Sequence, residues 1–289
     1  MRVWIIIWLH NILIEKEEIL PNHITNQITF GTKPAALEAF QKMLRDVQME
    51  GQPLGSFDFN KLLPMPKELN IESGSRTAQG LELVREYQNT LDSLRRRKPF
   101  LSPEYYAEIL QKHEELYREK RQDDPEIWAL GEKAYSNLQR FGSPTWYEWC
   151  HQNWSTKWNA YQPCPLCENS DTMVFYAAWY SVPRLIELLS EKYPEQTVFY
   201  RWADEDIGHN VGEFSMKAGK IIDINIPEGG SREAYEISAA IMGISLSNFG
   251  LHLTKNGGGY EYRDQDDIPA PTAQAKPSGK KRERKESER

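Results

Sequence analysis

From residue 172 onward the hydrophobic period of the chain switches repeatedly, and the order of those switches restricts the fold more than any other feature. "TMVFYAAWY" is rich in β-branched and aromatic residues and reads as a strand. Ser181 then opens a helix over "VPRLIELLSEKYP", and "TVFYRWA" is a second strand. The turn "DEDIGHN" leads to a third strand over "VGEFSMKAGKII". Ser231 starts the helix "REAYEISAAIMG", and a last weak strand lies near "GGYEYRD". The order β-α-β-β-α-β over residues 171–263 is that of a split βαβ, ferredoxin-like sheet. The fold class expected is therefore α+β, with helices on one face of an antiparallel sheet.

Residues 20–170 make an N-terminal α+β region. "HITNQITF" alternates as a strand does, and Leu37, Phe40, Leu44 and Val47 then fall at helical spacing behind Thr32 and Pro34. "SFDFNKLLPMP" is extended and is stopped by its prolines. Three helices follow as an insertion. The first carries the stripe Val84, Tyr87, Leu91, Leu94 and ends at "RRRKPF". The second begins at Ser102-Pro103, with Tyr106, Ile109, His113 and Leu116 on one face. The third runs from Pro125 through Ile127, Leu130, Ala134 and Leu138. No repeat of solenoid period is present.

The two ends read differently from the middle. "MRVWIIIWLHNILI" is apolar but too short, and too interrupted by His10 and Asn11, to span a bilayer; "EKEEIL" follows it where a signal peptide would have small residues. Lys16-Glu17-Glu18 back-translates into a bacterial ribosome-binding sequence, and Leu20 into an alternative start codon. Residues 1–19 are accordingly expected to be translated leader or disordered, with the native protein starting at Leu20; the alternative is a real N-terminal strand or small helix. Residues 264–289 are rich in Pro, Lys and Glu and nearly devoid of apolar side chains, so a disordered basic tail is expected there. Seven Lys/Arg face three Asp/Glu from Lys276 to Arg289, within a chain of net charge −7. The body is thus more acidic than the whole and is no general binder of phosphate backbones. Three cysteines, two of them three positions apart, make no disulfide framework and suit a reduced, cytoplasmic compartment.

Those three cysteines all fall in "WCHQNWSTKWNAYQPCPLC", residues 149–167, and this run holds the candidate site. Cys164 and Cys167 form a C-x-x-C knuckle, and Cys150 with His151 lies a loop's length upstream, so the four are the ligand set a zinc ion would use. Neighbouring residues rarely both face one metal, and no second knuckle completes a ribbon. The preferred reading has no cofactor. A redox pair is disfavoured because a strand, not a helix N-terminus, follows the cysteines. Trp154 and Trp158, with Trp146, Trp149, Tyr147 and Tyr161, are too many rings to remain exposed, and Asn153, Thr156 and Asn159 can satisfy their polar edges. A packing core between insertion and sheet is expected. The functional alternative is a binding surface made of Asn153, Trp154, Thr156, Lys157, Trp158 and Asn159, in which Lys157 is the one basic residue among the aromatics. The acidic turn Asp204-Glu205-Asp206 near His209 is read as a solvated hairpin rather than a cation site. "NGGGY" precedes no helix and is not a phosphate loop. No catalytic constellation is present.

"PNHITNQITF", "FDFNKLLPMP", "WYEWCHQNWSTKWNAY" and "AAWYSVP…LIELLSEKYP", in that order, resemble the YubB-like proteins with a ferredoxin-like domain, found on bacterial plasmids, phages and integrated elements. The resemblance covers most of residues 21–225, and Asn153 to Ala160 is its most specific part. It implies a bacterial mobile-element protein and carries over no activity. The function expected is a non-enzymatic binding or interaction module that meets a protein partner or a second copy. Nucleic acid is the rival partner, because sheets of this kind stack bases on exposed aromatics; Tyr176, Trp179, Phe199, Tyr200 and Trp202 are the candidates. A zinc or thiol enzyme built on the cysteines is the second rival. No membrane partner is expected.

Overall fold

The computed structural model describes residues 22–163, 166 and 170–263. The expected leader, Cys164, Cys167 and the basic tail lie outside them. The chain forms β1 (His23–Thr29), α1 (Pro34–Val47), α2 (Ser75–Arg97), α3 (Pro103–Asp123), α4 (Pro125–Phe141) and α5 (Trp146–Trp154). It continues with β2 (Thr172–Ala178), α6 (Pro183–Lys192), β3 (Val198–Asp204), β4 (Gly212–Lys217), β5 (Lys220–Asn225), α7 (Arg232–Met242), β6 (Leu251–Leu253) and β7 (Tyr260–Tyr262). The class is α+β.

The main sheet has the order β2-β1-β3-β4-β5 and is antiparallel throughout. β2 and β3, joined by α6, flank β1 and run parallel to each other, which is the split βαβ arrangement. Its central strand comes from the start of the chain, not from residues 171–263. The strand expected near "GGYEYRD" does not enter this sheet. Asn256–Gly259 turn the chain tightly, so Tyr260–Tyr262 pairs with Leu251–Leu253 in its own two-stranded ladder. The third strand expected over "VGEFSMKAGKII" is two strands, β4 and β5, joined at Ala218-Gly219, both at positive φ (48° and 74°) as a tight hairpin turn requires.

Alternation decides what each face buries. Ile24 and Ile28 of β1, Met173, Phe175 and Ala177 of β2, Tyr200 and Trp202 of β3, and Phe214 and Met216 of β4 line one face beneath α1 and α6. Phe40, Met43, Leu44 and Val47 from α1, and Leu185, Ile186 and Leu189 from α6, complete that core. Asn26 and Tyr200 are fully buried within it: the Tyr200 hydroxyl donates to Asn26 Oδ1 and accepts from the Val182 N–H at 2.9 Å. The expectation of helices on one face describes α1 and α6. α7 lies on the other, where Ala234 and Ile241 pack on Ala203 and Gln27 Nε2 donates to the Ile241 carbonyl at 2.7 Å.

The insertion is α2, α3 and α4. Val84, Tyr117 and Trp128 bury a small core of their own. α3 presents His113, a member of the expected stripe, and Tyr117 to it and leaves Leu116 exposed, so the seam departs from that stripe at its last position. The Asn137 side chain fastens α4 by donating to the Glu68 and Pro144 carbonyls.

Candidate functional site

α5 begins at Thr145, whose hydroxyl accepts the Tyr147 N–H at 3.2 Å, and stops at Ser155, which takes a left-handed conformation. The chain then crosses the end of β2 and the Phe57–Leu63 segment, and three of the six expected binding residues, Trp154, Thr156 and Asn159, bond across it. Trp154 is buried and its indole N–H donates to the Leu63 carbonyl at 2.9 Å. Asn153 donates back to the Trp149 carbonyl within α5. Thr156 exchanges two hydrogen bonds with the backbone of Ala178 (2.8 and 3.0 Å) and so closes β2. Asn159 accepts the Phe59 N–H and donates to Asp58, both at 2.8 Å. Trp154 and Asn159 thus tie the aromatic run to the Phe57–Leu63 segment and Thr156 ties it to the end of β2, while the Asn153 bond stays within α5.

Lys157 and Trp158 are used differently. Lys157 is only 9 % exposed, and its ammonium lies over the rings of Trp158 (4.5 Å to the centroid) and Trp179 (5.3 Å). Trp179 follows β2 directly, at φ 66°, a region that a bulky L-residue rarely enters. Two contacts hold it there: its N–H donates to the Asn22 carbonyl at 2.9 Å, and its carbonyl accepts from Asn210 Nδ2 at 3.2 Å. The Trp179 ring stacks on His151, centroids 5.7 Å apart and planes 19° from parallel. Burial lowers the pKa of the His151 imidazole; Glu148 opposes this and Lys157 adds to it, so the ring is neutral at pH 7.

Beside this stack lies a cavity of about 520 Å³, bordered by Asn22, Tyr147, His151, Trp179, Tyr180 and Asp204. Asp204, at the end of β3, is 5 % exposed. Its donors are the Asn22 amide, the Asn210 amide and the Asp206 N–H, each at 3.0 Å. The turn read as a solvated hairpin therefore contains one buried carboxylate. His209 is not its partner: it lies against Gly229 and Gly230. Sequence reasoning missed the cavity, and its one legible signal was the ring of Trp179 at a strand end.

Of the expected metal ligands, Cys150 is buried in the main core with its Sγ 3.9 Å from Met65 Sδ, and burial pushes its thiol up to about 12. Ligation and nucleophilic attack both need a thiolate, which this setting disfavours. Cys164 and Cys167 fall outside the described residues, among which no group of three His, Cys, Asp or Glu is placed to hold a metal. Of the five aromatics proposed for base stacking, Tyr200 and Trp202 are buried beneath the helices. Phe199 is exposed, and Tyr176 and Trp179 are half-buried. Among the described residues no helix is long and apolar enough to cross a membrane.

A second exposed feature lies at the other side of the sheet. β5 is an edge strand, and Ile221, Ile222, Ile224 and Ile226 are each more than half exposed. The ladder slips by one residue at Ile222. That bulge puts Ile221 and Ile224 on the helix-covered face, next to Met216 and Phe214, and Lys220 and Asp223 on the opposite face.

Residues 150–245 match the model of the ferredoxin-like domain in Api92-like protein, a span that runs from α5 past α7. That part of the chain is similar to a ferredoxin-like domain, in keeping with the split βαβ topology. Among solved structures, the crystal structure of the protein Api92 from Yersinia pseudotuberculosis is similar over 73% of this chain and 99% of that one. The identity is 12% and the TM-score 0.30, too low to bear on the fold. No curated protein matches this chain.

Proposed function

We propose that the protein is a YubB-like, non-enzymatic interaction module serving plasmid or phage biology in the bacterial cytoplasm, and that its partner along β5 is a second copy of itself. The mobile-element setting rests on the resemblance of the N-terminal, aromatic and strand–helix motifs. The interaction itself rests on one observation: β5 is an edge strand among the described residues, and its three isoleucines, with Ile226 just beyond it, are exposed. Such an edge carries free backbone donors and acceptors and is a template for another strand.

A second copy fits it for a geometric reason. Antiparallel pairing of β5 with its equivalent about a two-fold axis normal to the sheet keeps each face on its own side. Ile221 and Ile224 of both copies then adjoin on one face, while Lys220 of each adjoins Asp223 of the other on the opposite face. Each isoleucine side chain fully buried contributes about 1.5–3 kcal/mol, enough for two or three of them per copy to offset part of the entropy lost on association.

Sedimentation equilibrium of the full chain tests this. The expected result is a dimer at micromolar concentration that becomes monomeric in Ile224→Lys, whose charge would be buried against an apolar partner. A wild-type chain that stays monomeric at tens of micromolar, on the scale of ordinary dimer affinities, would refute the reading.

A further inference from the structure

We propose that the cavity bordered by Tyr147, Trp179, Tyr180 and Asp204 is a binding site for an organic cation, an alkylammonium or guanidinium group. This goes beyond the β5 interface and does not depend on it.

Three observations converge on that chemistry. The walls are aromatic: Tyr147, Trp179 and Tyr180 border about 520 Å³ of space that opens broadly to solvent. Aromatic faces attract cations, and quaternary ammonium and guanidinium groups more readily than strongly hydrated ions. At the border stands Asp204, whose hydrogen-bond donors are all neutral: two amides and one backbone N–H. Among the described residues Asp204 forms no ion pair, so a cation entering the adjoining space would be its first charged partner. The neighbouring Glu205 and Asp206 add to the negative potential of the turn.

The third observation is how the wall and the carboxylate are held. Asn22 accepts the Trp179 N–H through its carbonyl and donates to Asp204 through its amide. Asn210 donates to the Trp179 carbonyl and to Asp204 Oδ2. The same two asparagines therefore fix the strained backbone that presents the indole and the carboxylate that faces the same space. Backbone strain of this kind persists where surrounding contacts over-determine it, and it concentrates at ligand sites. His151 is neutral and backs the Trp179 ring without repelling a cation. Among the described residues Lys157 opposes a cation there: its ammonium already lies over Trp179 and does not border the cavity. It should weaken binding without blocking it.

The test uses the full chain with tetramethylammonium and with N-acetylarginine amide as probes, followed by calorimetry and by ligand-observed NMR. Saturable binding is expected. It should weaken about tenfold in Asp204→Asn and several-fold in Tyr180→Ala, and tighten in Lys157→Met. Tyr180 is mostly exposed, so its removal leaves the fold intact even where Asp204→Asn perturbs the turn. A short arginine peptide that binds at least tenfold more tightly than the amide would assign the cation to a partner's side chain; equal affinity would assign it to a free small molecule. No saturable binding of either probe, or an affinity unchanged in both Asp204→Asn and Tyr180→Ala, would overturn the proposal. Ile224→Lys should leave cation binding as it is, so this site and the β5 interface fail or stand separately.

Discussion

The substitution Gly131→Ala separates two effects that usually act together. In a helix interior alanine is favoured over glycine by about 1 kcal/mol, so propensity alone forecasts a more stable protein. α2 and α4, however, cross backbone to backbone at Gly80 and Gly131. A Cβ on Gly131 would stand 2.1 Å from the Gly80 carbonyl oxygen and 2.3 Å from its carbon, and a Cβ on Gly80 would stand 2.2 Å from the Ile127 oxygen. No flexible side chain is available to move aside. Ordinary contact is reached only if the helices part by about 1 Å or more, which loosens the Val84, Tyr117 and Trp128 core that holds the insertion together. Overpacking costs about 1–3 kcal/mol and lies at the top of that range where only backbone can yield. Set against the propensity gain, the expected net loss is about 2 kcal/mol. Urea denaturation followed by circular dichroism should show a midpoint lowered by about 1 M for a typical urea slope. Ala129→Gly, two residues away on the exposed side of α4, is the control and should cost about 1 kcal/mol from propensity alone. A Gly131→Ala protein as stable as wild type, or more so, would refute the backbone-contact argument.

Tyr200→Phe removes the donor to Asn26 and the acceptor of the Val182 N–H, leaving two buried polar groups unpaired. A loss of about 1–3 kcal/mol is expected in denaturant titrations, and a change below 0.5 kcal/mol would contradict it. Burial pushes the Tyr161 hydroxyl up to about 12, with the nearby Glu205 and Tyr176 adding to the shift, against about 10 in the unfolded chain. Its contribution to stability is therefore fully present below pH 10 and is lost as pH rises through about 12, and the loss between pH 9 and 11 should be smaller in Tyr161→Phe. Cys150, its thiol likewise raised by burial, should resist maleimide in the native Cys164→Ser/Cys167→Ser protein and react once unfolded. The full chain purified under reducing conditions should carry no stoichiometric zinc by mass spectrometry. One zinc per chain, lost in that double variant, would revive the metal reading.

What the sequence discloses here follows from how local the cause is. β1 and β2 show their alternation, and α1 and α6 their stripes, because each period is set by neighbours only two to four residues away. The β4–β5 hairpin was hidden because alanine, not asparagine or aspartate, occupies the first position of positive φ. On α3 the apolar Leu116 drew the stripe away from the true seam; His113 and Tyr117 are buried because Tyr87 of α2 packs on both rings. The sheet order lay further out of reach, since β1 is paired with strands that begin more than 140 residues later.

The two kinds of site divide along the same line. Asn153 to Ala160 is the most motif-like run in the chain, yet its polar side chains serve backbone: Trp149 within α5, Ala178 at the end of β2, and Phe59 a hundred positions upstream. A run of sequence can specify such a scaffold because the scaffold is what fixes the run in place. The cavity is bordered by residues 22, 147, 151, 179, 180 and 204, with Asn210 holding two of them, and these are brought together by the placement of β1 between β2 and β3. Asn22 reaches Asp204 across 182 positions, and nothing in the spacing of either residue anticipates it. A carboxylate read in sequence as the rim of a solvated turn is, in the fold, buried behind three neutral donors, and that change of environment is what turns an acidic hairpin into a receptor for positive charge.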